Sequence, residues 1–241
     1  MDEIQIERHR TAIRRNKISR PVGTLLENNL LGPEVSFFDY GCGHGQDLEI
    51  LEKNSFKNLG GWDPYYRPSE EKRNAEVVNL GYVLNVIEDP RERSETLKSA
   101  FGLASKLLCV SVMTTLQKGY EGEEFNDGVL SKKKTFQKYF EQTEIKNYLE
   151  STLDRDAISV APGIFYIFKE ESQKLEYLQS RQRSRLFLEF NRLDPITRES
   201  HRVRQYKPKL RDLILQHPGF ESVLNFISVH GRVPAPEESV A

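Results

Sequence analysis

The stretch Ser36-Phe-Phe-Asp-Tyr-Gly-Cys-Gly-His-Gly45 decides how the chain is read. Val35–Tyr40 is a compact run of β-forming residues, and three glycines at alternate positions follow it. Beyond them, Leu48, Ile50 and Leu51 supply the packing side of a helix. A strand, a glycine turn and a helix in that order form one unit of a parallel sheet. Glycines at such a turn let the backbone approach a ligand at the carboxyl ends of the strands.

Working outward, Leu59–Asp63 reads as a second strand and Pro64–Asn74 as a polar, irregular segment. Glu76–Val86 is a strand, or a strand running into a turn. Asp89-Pro90 then opens a helix that continues to about Ser105, since Asp is a favoured N-cap and Pro suits the first helical position. Leu107–Met113, interrupted only by Ser111, has the near-continuous apolar character of a strand buried on both faces. Thr114–Lys134 reads as a loop around Gly119, Gly122 and Gly128, and Thr135–Ser151 as a helix. Ala157–Ala161 and Ile164–Lys169 form a strand pair joined at Pro162-Gly163. Before the glycine stretch, Glu3–Ser19 reads as a helix ended by Pro21, and Thr24–Leu31 as a second one closed by Gly32-Pro33. After it, helices are expected from Glu171 to about Arg192, from Arg202 to Gln216 and from Phe220 to His230. The expected fold is an α/β three-layer, Rossmann-like sandwich with helical extensions at both ends. Residues 1–33, 34–170 and 171–241 are the expected divisions.

Asp39 selects the ligand. A dinucleotide calls for GxGxxG and a helix N-terminus facing a pyrophosphate; this chain has GxGxG, and it sets a carboxylate two residues before the first glycine, where it would oppose a phosphate. S-adenosylmethionine carries no phosphate. Its sulfonium and amino groups are cationic, so an acid there is favourable. The second strand ends in Gly61-Trp62-Asp63, and an acid at that point can accept from two ribose hydroxyls, about 20 residues after the glycines. Asp39, Gly41, Gly43, Gly45, Trp62, Asp63 and Asn79 are the candidate cofactor residues.

On these motifs the segment from Val35 to Lys169 resembles the class I S-adenosylmethionine-dependent methyltransferases, including the closing antiparallel strand at Ile164–Lys169. One departure stands out. Only Pro64–Ala75 separates the second strand from the next, where that family fits a helix and a third strand, so strand three is expected to be shortened or missing. Trp62, Tyr65 and Tyr66 can serve as stacking walls or as ordinary core aromatics.

Asn79-Leu-Gly-Tyr82 is a loose echo of the Asn/Asp-Pro-Pro-Tyr box of amino-methyltransferases, in which the polar residue accepts from the target amine and the aromatic stacks on an extruded base. Both prolines are missing. Asp63-Pro-Tyr-Tyr66 is closer by letters but follows the second strand and would lie by the ribose. Asn79 and Tyr82 are therefore the candidate catalytic pair. Cys42 reads as a small packing residue and His44 as a loop residue. Neither a Ser-His-Asp set nor a metal-ligand cluster is visible.

Further segments bear a closer likeness: His9-Arg-Thr-Ala-Ile13, Phe38–Gly43, Gly61-Trp-Asp-Pro-Tyr-Tyr66, Asn79–Pro90, Thr135-Phe-Gln-Lys-Tyr-Phe140, Ala161-Pro-Gly-Ile-Phe165 and Gly231-Arg-Val-Pro234. Together they resemble the DNA phosphorothioation-associated methyltransferase family. That resemblance implies a methyltransferase domain linked to bacterial DNA modification and defence.

The 241 residues are 37% hydrophobic and 29% charged, with a formal net charge of −1. The charge is uneven. Six basic residues face three acidic ones in residues 1–20, and eleven face five in 171–211. Basic ends with Tyr177, Phe187, Phe190 and Tyr206 interleaved suit phosphate contacts and base stacking, or else a solvated helical face. DNA, ahead of RNA, is the expected partner, with DNA-modification proteins beside it. Two isolated cysteines, Cys42 and Cys109, fit a reducing compartment, and no apolar run approaches a membrane span or a signal peptide. A cytoplasmic protein that does not engage the membrane is expected. Two alternatives remain open on sequence: a small-molecule methyltransferase, and a cofactor-binding accessory that does no chemistry.

Overall fold

The computed structural model describes residues 6–115, 122–192 and 220–231. The chain divides into two compact units, up to Glu170 and from Glu171 onward. In the first, β1 (Phe37–Tyr40), β2 (Leu59–Trp62), β3 (Ala75–Gly81) and β4 (Ala104–Ser111) run parallel. A separate antiparallel sheet follows, of β5 (Glu123–Phe125), β6 (Gly128–Leu130) and β7 (Phe136–Gln137). β8 (Ala157–Ala161) and β9 (Ile164–Phe168) return to the main sheet, whose order is β2-β1-β3-β4-β9-β8 with β9 antiparallel to β4. This is the expected Rossmann-like α/β sandwich, with no strand beyond β2 among the described residues. β2 pairs only with β1, because the Pro64–Asn74 segment is too short and too polar to add a crossover.

Side chains alternate across the strands, so each strand serves both faces. Phe38, Tyr40, Val78, Leu80, Leu108 and Val110 cluster on one face with Leu97 and Ala100 of the helix Pro90–Leu103 and with Ile145 and Leu149 of the helix Gln142–Leu153. On the opposite face Phe37, Val77, Leu107 and Cys109 are buried beneath the helices Arg20–Glu27 and Gln46–Lys53. In chain order these four helices are α1 (Arg20–Glu27), α2 (Gln46–Lys53), α3 (Pro90–Leu103) and α4 (Gln142–Leu153). A side chain on Gly61 would run into Leu48 of α2, which is how closely that helix lies on the sheet. The Asp89-Pro90 start of α3 is built as its sequence requires, with the Asp89 carboxylate accepting from Arg91 N at 2.8 Å.

Three expectations are overturned. Residues 6–19 do not continue a helix: they make one 3₁₀ turn, Arg8–Thr11, and then run irregularly, bending at Asn16–Lys17, to Ser19. Pro21 opens α1 rather than ending a helix, the position where its missing N–H costs nothing. Contacts in diverging directions win over local preference here, with Arg8 held by α3 and Ser19 N by the Asp47 carboxylate. The expected loop contains β5 and β6, joined at Asn126 with φ 50°. Three-residue strands are too short to show alternation. Phe136–Gln137 is a strand, so the expected helix at Thr135 begins instead at Gln142. The second unit contains α5 (Glu171–Arg192) and α6 (Phe220–His230), both as expected. The Arg202–Gln216 helix lies outside the described residues. No helix among the described residues is long and apolar enough to cross a membrane.

One ionic link fixes the small sheet to α3. The buried Arg93 guanidinium donates to both Asp127 oxygens at 2.7 and 3.1 Å and to Ile87 O at 2.7 Å. Lys138 Nζ reaches the same carboxylate at 3.0 Å. Burial pushes the Asp127 carboxyl up, but Arg93 and Lys138 pull it further down, to about 2. Asp127→Ala strands the Arg93 charge and is expected to cost ~2 kcal/mol in urea unfolding at pH 7. The contribution of Asp127 is present above the ordinary carboxylate range and is lost as pH falls toward 2, so native and variant converge in stability at low pH.

Candidate functional site

The strand order reverses between β1 and β3, since β2 lies to one side of β1 and β3 to the other. Ligands of open parallel sheets bind at the carboxyl edge of such a switch point. Here it is spanned by a side-chain bond. Asp39 and Asn79 are register partners, and Asn79 Nδ2 donates to Asp39 Oδ1 at 2.8 Å. Asp39 is only 5% exposed and Asn79 is equally buried. Burial, then the charge of Asp47, push the Asp39 carboxyl up to about 7 against the pull of Asn79 and Arg15. Asp63 adds to the push. Three acids thus converge on one edge with Arg15, 3.6 Å from Asp47, as the partial counter-charge.

The glycine turn follows directly. Gly41, Gly43 and Gly45 have φ of 78°, 55° and 84°, a region open to glycine and costly for other residues. A side chain at Gly41 would strike Val83; one at Gly45 would meet the Arg67 guanidinium at 2.5 Å. The turn is fastened to β2, where Gly41 N and Cys42 N donate to Trp62 O, and Gly43 N donates to Asp63 Oδ2 at 3.0 Å. Asp63 Oδ1 also takes Tyr65 N and Tyr66 N, each at 2.9 Å. A carboxylate offers about four acceptor sites, so Asp63 retains one.

Asp39, Gly41, Gly43, Gly45, Asp63 and Asn79 are therefore brought together, as the sequence reading groups them. Trp62 is not. It alternates to the α3 face, edge-on to Tyr40, with Lys72 Nζ 3.8 Å above its ring. The other proposed stacking walls are occupied by the chain itself: Tyr65 stacks on His9 at 3.9 Å and Tyr66 packs on His44 at 4.0 Å. Tyr82 immediately follows β3 with φ 59°, donating its N–H to Ser111 O at 2.8 Å. Such a conformation in a bulky residue is strained, and strain of this kind collects at functional edges. Burial raises the Tyr82 hydroxyl pKa, while the charges of Arg20 and Arg15 lower it.

Several contributors escape a reading of the sequence. The 3₁₀ turn and the residue after it strap the site: Arg8 makes paired bonds to Glu88 and Glu92 at 2.5 to 2.8 Å, Tyr66 Oη donates to His9 O at 3.0 Å, and Ala12 lies beside Gly43. Asp47, in the first turn of α2, is the one member whose place could have been inferred, because it follows the last glycine by two residues. Cys42 is not a nucleophile; burial, then Asp39, push its thiol up to about 12. Among the described residues no group of His, Cys, Asp and Glu is placed to hold a metal ion.

The groups on this edge fit a cation that donates hydrogen bonds. Asn79 Oδ1 and Ser111 Oγ are buried without partners and lie on the Asp39 face. Burial first, and then the charges of Asp47 and Asp63, hold Asp39 short of full ionisation.

No family model matches the chain, and no curated protein matches it by sequence. Solved structures do. The chain is similar to Burkholderia thailandensis 1,6-didemethyltoxoflavin-N1-methyltransferase, solved with 1,6-didemethyltoxoflavin and S-adenosylhomocysteine. The identity is 13%, over 63% of this chain and 78% of that one, with a TM-score of 0.45. An S-adenosylmethionine-dependent methyltransferase from Clostridium acetobutylicum matches at 12% identity, over 66% and 92% of the two chains, with a TM-score of 0.44. Magnesium protoporphyrin IX methyltransferase from Synechocystis, solved with S-adenosylhomocysteine, matches at 13% identity, over 62% and 80%, with a TM-score of 0.38. All three are methyltransferases.

The Asp39 carboxyl sets a pH dependence with a definite sign. Its folded-state pKa lies above the ordinary carboxylate value, so the folded chain holds a proton that the unfolded chain releases. Stability is therefore expected to fall as pH rises from about 4 through 7. Asp39→Asn keeps an acceptor for Asn79 without the charge. In thermal and urea unfolding between pH 5 and 8.5 it is expected to flatten that slope and to exceed the native protein at the alkaline end by ~3 kcal/mol.

Proposed function

We propose that this chain is an S-adenosylmethionine-dependent methyltransferase acting on nucleic acid, DNA ahead of RNA, in a bacterial DNA-modification setting with DNA-modification proteins as partners. The observation that carries the cofactor is the under-neutralised Asp39 carboxylate at the switch point, beside a GxGxG turn and beneath a strapping N-terminal segment. A cationic ligand relieves that charge, and a dinucleotide pyrophosphate aggravates it. The nucleic-acid substrate rests on the basic ends, and the modification setting on the motif resemblance.

When bound, S-adenosylmethionine supplies an activated methyl group, which leaves alignment and desolvation to the protein. Asp39 would face the cationic end. The backbone of Gly41–Gly45 would pass close to the ligand, and the remaining acceptor site of Asp63 would take a ribose hydroxyl. Asn79 Oδ1 would accept from a donor on the cofactor or the target, and Tyr82 would hold the target from the substrate side. Trp62, turned to the other face, has no part in this arrangement. The strap excludes water from the same edge, with Arg8 anchored on Glu88 and Glu92.

A second reading has one observation in its favour. Asp63 is already committed to three backbone donors, and the crossover that builds the third strand elsewhere is absent. A cofactor-binding accessory without transfer activity fits those two facts.

Calorimetric titration with S-adenosylmethionine and S-adenosylhomocysteine tests the binding site. The native chain is expected to bind, and Asp39→Ala and Asp63→Ala to weaken binding at least tenfold. Absence of binding by the native chain removes the proposal. Incubation with methyl-labelled cofactor and DNA, RNA or small-molecule extract in parallel then separates the readings. Label in nucleic acid supports the methyltransferase, label in small molecules redirects its substrate, and binding without label supports the accessory.

A further inference from the structure

The basic residues near the N-terminus do not act as one cluster. Arg8 is spent on Glu88 and Glu92, Arg10 lies 3.5 Å from Glu7, and Arg15 turns inward to Asp47. Arg14, Lys17 and Arg20 have exposed side chains and, among the described residues, no ion-pair partner. They stand at three-residue intervals on an irregular run that bends at Asn16–Lys17 and enters α1 at Arg20. Residues Arg14 to Ile18 line an open groove of about 590 Å³. Ile13, immediately before it, is 74% exposed, an apolar side chain with nothing in this unit covering it.

The row leads to the candidate active site. Within it Arg15 reaches Asp47 at 3.6 Å and Ser19 N donates to the same carboxylate at 2.7 Å, so the row borders the acids beside Asp39. A single phosphate or carboxylate is held by donors that converge on one point. Separate cations strung along an open, irregular run, beside an apolar residue, suit a polyanion that lies across them.

We infer that Arg14, Lys17 and Arg20 form a contact surface for the sugar-phosphate backbone of a single-stranded nucleic acid, which this rim leads to the edge that carries Asp39 and Asp47. The inference rests on the nucleic-acid reading above and gives it a location. The backbone supplies position and the site meets a base, a division of labour general to nucleic-acid recognition. Single-stranded substrate is favoured because unpaired bases can use exposed apolar and aromatic surface on this segment: Ile13 is exposed, and Tyr65, stacked on His9, is 58% exposed.

The full chain is titrated with fluorescently labelled single-stranded DNA and RNA 20-mers from 50 to 200 mM salt, followed by anisotropy. Binding is expected to weaken with salt. Arg14→Ala/Lys17→Ala/Arg20→Ala is expected to lower affinity at 100 mM salt at least tenfold. It should also reduce the slope of log K against log salt by about 2, at about 0.7 per lost single-strand phosphate contact. Lys53→Ala/Lys98→Ala, which removes exposed cations from α2 and α3, is expected to bind like the native chain. Calorimetry with S-adenosylmethionine on the triple variant shows whether the cofactor site survives. Nucleic-acid binding by the native chain that the triple variant retains in full overturns the surface and leaves the methyltransferase reading intact. Preference of the native chain for anionic vesicles over either 20-mer, or failure to bind nucleic acid at all, overturns the surface too.

Discussion

The hydrogen bond from Asn79 to Asp39 joins two strands at the one place where the sheet changes direction, and the candidate site depends on it. Both side chains are buried, so neither has water as an alternative partner. Removing a buried partner leaves a desolvated polar group. The bond therefore fixes where the Asp39 carboxylate sits relative to β3 and, through the paired strands, relative to Gly81 and Tyr82 beyond it. The same bond does not neutralise Asp39. An amide donor offsets only part of what burial and Asp47 add. What remains is a site preorganised for positive charge at the price of some stability in its empty state.

Around that bond the fold supplies two closures. The glycine turn closes toward β2, through Gly43 and the Asp63 carboxylate. The N-terminal segment closes over the turn from outside, through Arg8 on α3, His9 on Tyr65 and Ala12 beside Gly43. These closures account for what happens to the aromatic residues after β2. Lacking a third strand to pack on, Tyr65 stacks one face on His9 and stays 58% exposed, Tyr66 packs on His44, and Lys72 lies over Trp62. The chain uses its own side chains where a longer crossover would otherwise fill the space.

The strain at Tyr82 belongs to the same logic. Its N–H is needed by Ser111 O to continue the β3–β4 ladder by one residue, and the backbone must then turn sharply toward the Asp89-Pro90 start of α3. A left-handed residue makes that turn. Glycine would make it at lower cost, and at Gly41, Gly43 and Gly45 the chain does use glycine. Retaining a tyrosine at the fourth such position of this edge is a local exception of the type that marks a working side chain.

Much of this was legible in residue order. Strand-turn-helix around Asp39–Gly45, the Asp89-Pro90 cap, the apolar β4 and the Pro162-Gly163 hairpin each follow from local chemistry, because glycine, proline and alternation act within a few residues of themselves. The short Pro64–Ala75 connection likewise foretold the missing third strand. Tertiary structure decided the rest. Trp62 turned away because strand alternation sends it to the face opposite Asp39. Residues 6–19 gave up a helix because Arg8, Ala12 and Ser19 are drawn to three different elements, a cost and gain no window of sequence contains. The short strands β5 to β7 exist only by pairing with one another. Asp47 joined the acids because α2 lies close on Gly61, and the row of basic residues was sorted into paired and free only by which carboxylates the fold brought within reach.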